Sequence, residues 1–137
     1  MTTADWIAAG FSGYPDVTFL SARRVRLNAD YCYTDLKGHK HRAKTGLISD
    51  GGTIPRLLWR IIPPYASDYL PGFLLHDQFC KDAEDLYAAG MVHEAKELRE
   101  DGDTLLREMV RQLGASRVTA WVIHKAVRLG ALWGAFR

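Results

Sequence analysis

His76 and Asp77 stand side by side in a run, residues 73–87, whose pattern predicts a helix. On such a helix His76, Phe79, Cys80, Ala83 and Tyr87 recur at i, i+3, i+4, i+7 and i+11. That is the spacing of a core-facing stripe, so an imidazole occupies a place where leucine would cost less. A buried imidazole needs a partner at each ring nitrogen or loses hydration without return. Further along, Asp103, Leu106, Val110 and Leu113 follow i, i+3, i+7 and i+10, which sets a carboxylate on or beside a second apolar stripe. Helices joined by a short connection pack antiparallel, so the spacing predicts a His76–Asp103 pair. The carboxylate would fix the tautomer and leave the other ring nitrogen as a general base or metal ligand. Asp77 lies about 100° further round the helix and is free to meet a separate cation. The plainer reading, a satisfied core histidine, stays open at this point.

A second candidate is the stretch Gly46-Leu47-Ile48-Ser49-Asp50-Gly51-Gly52-Thr53-Ile54-Pro55. Paired glycines permit unusual dihedrals and close backbone approach. Asp50 and the carbonyls of Gly46, Gly51, Gly52 and Thr53 suit a hard cation such as calcium. The free N–H groups of a helix after Thr53 suit an anion or oxyanion. A capped strand-to-helix turn is the alternative.

The elements that must hold these groups fall into two parts. In the first, Arg24–Tyr33 alternates, with Val25, Leu27, Ala29, Tyr31 and Tyr33 on one face, the mark of a half-buried strand. Asp35–His39 reads as a turn, and a strand from His41 to Ile48 would complete a hairpin. Val17–Leu20 is a further short strand. From Thr53 onward the pattern is helical. A short helix capped by Thr53 stops at Pro63-Pro64, and a second is capped by Asp68. A third runs from Met91 to Leu113 before Gly114, and a fourth from Ser116 to Trp133. The fold class expected is α+β, a β-hairpin region followed by three or four mainly antiparallel helices. A single domain over residues 1–137 is expected, β-rich to residue 50 and helical after it.

Composition narrows the function classes. The chain has 137 residues, 47% apolar and 25% charged, with 18 Lys+Arg against 16 Asp+Glu. These are ordinary globular proportions, and the near-neutral balance gives no support to a surface that tracks phosphates, so no nucleic-acid partner is expected. No apolar run approaches the length of a membrane span, and residues 1–9 lack the basic start of a secretory signal. Two cysteines, Cys32 and Cys80, are too few for a disulfide framework. No P-loop, dinucleotide-binding glycine motif, G-x-S-x-G or H-E-x-x-H occurs. His39 and His41 could face one metal, but neighbouring Lys37, Lys40, Arg42 and Lys44 favour a solvated tip. The last helix mixes Val118, Trp121, Val122, Leu129, Leu132, Trp133 and Phe136 with Lys125, Arg128 and Arg137. Core packing is its default; a membrane surface or a partner in a virion is the alternative.

Taken in order, Gly46–Arg56, Trp59, Pro63-Pro64, Leu75-His76-Asp77, Gly102-Asp103 and Leu113-Gly114 resemble the domain of unknown function 1353 family. The resemblance covers about residues 30–134. It implies an origin in bacteriophages and prophages. Ser49 stands where the family usually has Thr, Cys80 where it usually has Tyr, and the stretch from His76 to Asp103 is longer than usual. A looser likeness is to the layout of secreted phospholipase A2. It implies His76 as base for a water, Asp103 as its orienter, Asp77 as a calcium ligand, and loop 46–52 as donor of carbonyls. The disulfides of that group are absent.

The function expected is therefore a phage-encoded hydrolase of an ester or amide, with a buried His76–Asp103 dyad and a divalent cation on Asp77 or Asp50. Calcium is the cofactor implied and zinc the alternative, including a variant bound directly by His76 and Asp103. The substrate would be a membrane surface or the cell envelope. The competing expectation is a non-enzymatic tail or assembly component, partnered by other virion proteins, in which the same pair locks helix packing. The protein would be made in the host cytoplasm and could be carried in the virion.

Overall fold

The computed structural model describes residues 2–21, 24–49 and 68–133, with the side chains of 131–133 left aside. The elements are α1 (Thr3–Ala8), β1 (Val17–Ser21), β2 (Arg24–Leu27), β3 (Tyr31–Thr34), β4 (Lys40–Ala43), β5 (Ile48–Ser49), α2 (Leu70–Ala88), α3 (Val92–Gln112) and α4 (Arg117–Trp133). After the short α1, antiparallel strands precede the three long helices, the α+β class the pattern predicts. Among the described residues no helix is long and apolar enough to cross a membrane.

The expected strand Arg24–Tyr33 is two strands in two sheets. β2 lies between β1 and β5, while β3 pairs with β4 as a hairpin. Alternation holds within each piece: Val25, Leu27, Tyr31 and Tyr33 are buried, and Arg24 and Arg26 are exposed. It fails at Ala29, which is exposed. Around it the side chains of Asn28 and Asp30 bond elsewhere, Asn28 to Asp16 and Thr18, Asp30 to the backbone and hydroxyl of Thr45. Short polar side chains compete in this way with a strand ladder. The expected strand His41–Ile48 is likewise split, at a turn where Gly46 has φ +91°, a conformation glycine adopts at no steric cost.

The hairpin turn at Asp35–His39 is as read. Asp35 Oδ1 accepts the N–H groups of Lys37 and His39, both over 2.9 Å. His41 Nε2 lies 2.8 Å from Asp35 Oδ2, so His41 serves the turn through its ring and His39 through its backbone N–H. The sequence pattern missed α1, although Thr2 and Asp5 form a capping box there. It anchors Trp6, which is buried and packs on Tyr14 at 4.9 Å between ring centroids.

Helix α2 is the centre of the fold. It packs against α3 and against β3, β4 and β5, and α3 packs in turn on α4. Leu70 to His76 are buried without a break, so the first two turns have no solvent face. The amphipathic stripe predicted there begins only near Cys80 and fades at Tyr87, which is exposed. Tyr69, and not Asp68, is the N-cap residue, with no side-chain cap and Pro71 in the first turn. α3 runs antiparallel to α2. Gly102 lies against Phe79, Asp103 against His76, and Leu106, Met109 and Leu113 against Gly72. α4 starts under Ser116, whose Oγ accepts the Thr119 N–H. Its core face is Ala120, Ile123, Ala126 and Val127; Val118, Trp121 and Leu129, expected to pack, are exposed. The helix expected after Thr53 and the side chains of Leu132, Trp133 and Phe136 lie outside the described residues. One apolar core runs from Trp6 and Phe11 through the strands to Val127.

Candidate functional site

The helical register predicted for His76 and Asp103 places them in contact. His76 Nε2 lies 2.6 Å from Asp103 Oδ1, and both side chains are 0% exposed. Two guanidinium groups complete the carboxylate: Arg99 Nε donates to Oδ1 over 3.2 Å and Arg128 Nη1 to Oδ2 over 2.9 Å. A carboxylate held by three donors is acceptor-only, so Nε2 is the nitrogen that carries a proton toward it. Burial works against the Asp103 charge, but the His76 hydrogen bond and the cations His76 and Arg99 hold its pKa below the usual range. Burial works equally against an imidazolium. The Cys80 sulfur and the Asp103 carboxylate outweigh it, so His76 keeps its proton more firmly than a free histidine.

Nδ1 faces a different set of groups. Cys80 Sγ is 3.7 Å from it and 3.9 Å from Nε2, and Asp77 Oδ1 is 4.0 Å from it. Asp77 is itself held through Oδ2, which accepts a short hydrogen bond from Ser49 Oγ at the end of β5. Asp77 and Cys80 line a cavity of about 680 Å³ between α2 and the β4–β5 turn. Gly46 lies on the same wall, with Lys44 and Lys81 outnumbered by Asp77, Asp82, Glu84 and Asp85. Gln78 ties that wall to the helix, accepting from the Lys44 N–H over 3.0 Å and donating to Asp82 over 2.9 Å.

Of the residues singled out from the sequence, His76, Asp77 and Asp103 form one cluster, and Gly46 borders its cavity. The Gly46 N–H is spent on the Leu27 carbonyl, so it offers no donor to an oxyanion. Asp50, Gly51, Gly52 and Thr53 lie outside the described residues. Asp101, two positions before Asp103 on the same helix, is exposed. Ser49, Cys80, Arg99 and Arg128 were not assigned roles by the sequence. Arg99 was legible as the i−4 neighbour of Asp103, and Cys80 as the i+4 neighbour of His76. Arg128 had no local signal, since it reaches Asp103 from another helix.

A family model described as a protein of unknown function, DUF1353, matches residues 25–127. The chain belongs to this family. The DUF1353 match runs from β2 into α4 and includes His76, Asp77, Cys80, Arg99 and Asp103; Arg128 lies just past its end. No curated protein and no solved structure matches the chain. In this DUF1353 chain the predicted resemblance holds at the level of the family, and the dyad falls within the matched span.

Proposed function

We propose that the protein is a hydrolase of ester or amide bonds in which His76 brings a water to reactivity. The carrying observation is the 2.6 Å contact of Nε2 with Asp103, which commits that nitrogen to the carboxylate and assigns the reactive role to Nδ1, beside Cys80 and Asp77. A carboxylate on one ring nitrogen and reactive work at the other is the division of labour seen in general-base catalysis. Nδ1, once neutral, takes a proton from a water entering from the cavity; the resulting hydroxide attacks the carbonyl carbon, and the proton passes to the leaving group. Asp77 supports this by holding a divalent cation at the cavity wall, where carboxylates outnumber lysines. The phage origin belongs to the same proposal and rests on the family resemblance; an envelope or membrane-surface substrate belongs to it too and rests on the looser likeness to the phospholipase A2 layout.

Full burial of His76 favours a second reading, a non-enzymatic virion component whose polar cluster locks α2, α3 and α4 together. The test is a panel of p-nitrophenyl esters, anilides and phospholipid vesicles, assayed with the wild type and His76→Gln. The hydrolase reading expects turnover that falls roughly 10²–10⁴-fold in the variant. Equal rates, or none from either protein, would support the packing role.

A further inference from the structure

Three donors of different chemistry converge at one side of α2. His76 Nδ1 or Nε2, a carboxylate oxygen of Asp77 and Cys80 Sγ all lie within 4.8 Å of one another. Their spacing along the helix, i, i+1 and i+4, brings them to one side of a single turn. An imidazole nitrogen and a sulfur bound tetrahedrally to zinc sit about 3.6 Å apart, given metal–nitrogen and metal–sulfur bonds of about 2.1 and 2.3 Å. The observed Sγ–Nδ1 distance is 3.7 Å.

The surroundings have the features of an open metal site. A ligating histidine commonly donates its other ring N–H to a carboxylate, which fixes ring and tautomer; Asp103 stands there at 2.6 Å. Asp77 is steadied from behind by Ser49. Asp77 and Cys80 both border the cavity, with His76 buried behind them, so the fourth position of a bound ion would face the cavity. A thiolate with an imidazole selects zinc-class ions, whereas calcium takes six to eight oxygens.

We propose that His76 Nδ1, the Asp77 carboxylate and Cys80 Sγ bind one thiophilic divalent ion of the zinc class, with Asp103 orienting the ligand imidazole. Sγ is nearly as close to Nε2 as to Nδ1, so capture includes a turn of the Cys80 side chain about its Cα–Cβ bond. Binding forms a sulfur–metal bond in place of the Cys80 S–H bond and a nitrogen–metal bond in place of the Nδ1–H bond of the imidazolium, and both protons pass to solvent. The inference deepens the hydrolase reading. A bound metal occupies Nδ1 and takes over from the imidazole the task of activating water.

The experiment is titration of the chelator-treated full chain with Co²⁺, followed by absorbance. One equivalent should produce a near-ultraviolet thiolate-to-cobalt band and visible bands of tetrahedral cobalt, both displaced by Zn²⁺. Cys80→Ser should lose the thiolate band while Cys32→Ser keeps it. Asp103→Asn should weaken binding roughly 10–100-fold. The wild type alone gives an independent reading, because zinc should raise its melting temperature in a concentration-dependent way and calcium should not. Absence of the band and of any zinc shift in the wild type would overturn the site, as would a band that survives Cys80→Ser. Hydrolysis that depends on His76 but is unchanged by chelation would remove the metal and leave the general-base reading standing. Metal binding without hydrolysis would do the reverse.

Discussion

Gly102 lies directly against Phe79, so that a Cβ built on the glycine would come within 2.6 Å of the Phe79 Cβ. This close approach of α3 to α2 is one residue from Asp103, and it sets the two backbones near enough for a 2.6 Å bond to His76. Alanine favours a helix by up to about 1 kcal/mol over glycine, but overpacking against an atom next to the backbone costs about 1–3 kcal/mol. Gly102→Ala should therefore destabilise, by about 1–2 kcal/mol in urea unfolding. A neutral or stabilising result would show that the helices can separate freely.

Asp103 neutralises charge contributed by two other helices. Removing it leaves Arg99, Arg128 and His76 facing one another in the interior. Breaking a buried ion pair by deleting one partner costs about 3–5 kcal/mol, and Asp103→Ala should fall in that range by denaturant unfolding. A loss near zero would mean that water already solvates the cluster.

Tyr33 couples the β3–β4 hairpin to α3 through its hydroxyl, which donates to Glu108 Oε2 over 2.6 Å. Tyr33→Phe removes that bond and keeps the ring, which is fully buried beside Phe11. The expected loss is about 1–2 kcal/mol, read from the urea midpoint at unchanged slope. A changed slope would show instead that the hairpin no longer folds with the helices.

The hairpin turn supplies a pH dependence. The His41 hydrogen bond, joined by the His39 and Lys37 N–H groups, lowers the Asp35 pKa from 3.8 to about 2. A depressed carboxylate stabilises above its unfolded pKa, and that stability is lost as pH falls through the folded one. The stability difference between wild type and Asp35→Asn should be constant above about pH 4 and shrink toward about pH 2. A difference that persists unchanged at pH 2 would mean the charge is not what holds the turn.

The class of fold and the dyad were legible because both rest on short-range periodicity. Period-two alternation located Val25, Leu27, Tyr31 and Tyr33, and helical spacing located His76 and Asp103. What escaped depended on partners distant along the chain. Nothing near Asn28 or Asp30 announces that their side chains reach Asp16, Thr18 and Thr45 and end a strand. Trp121 and Leu129 look like core by type, and only the packing of Ile123 and Val127 against α3 decides which face of α4 is buried. Arg128 is the plainest case, a cation that meets Asp103 over 2.9 Å from 25 residues away.

The central claim is that Asp103 orients His76 for work at Nδ1. It is tested most directly by comparing hydrolysis rates of the wild type and Asp103→Asn, at a temperature where both are shown to be folded. Asparagine keeps the shape but loses the charge and the enforced tautomer, as in the serine-protease triad, so the rate should fall roughly 10³–10⁴-fold. An Asp103→Asn protein that hydrolyses as fast as the wild type would contradict the account.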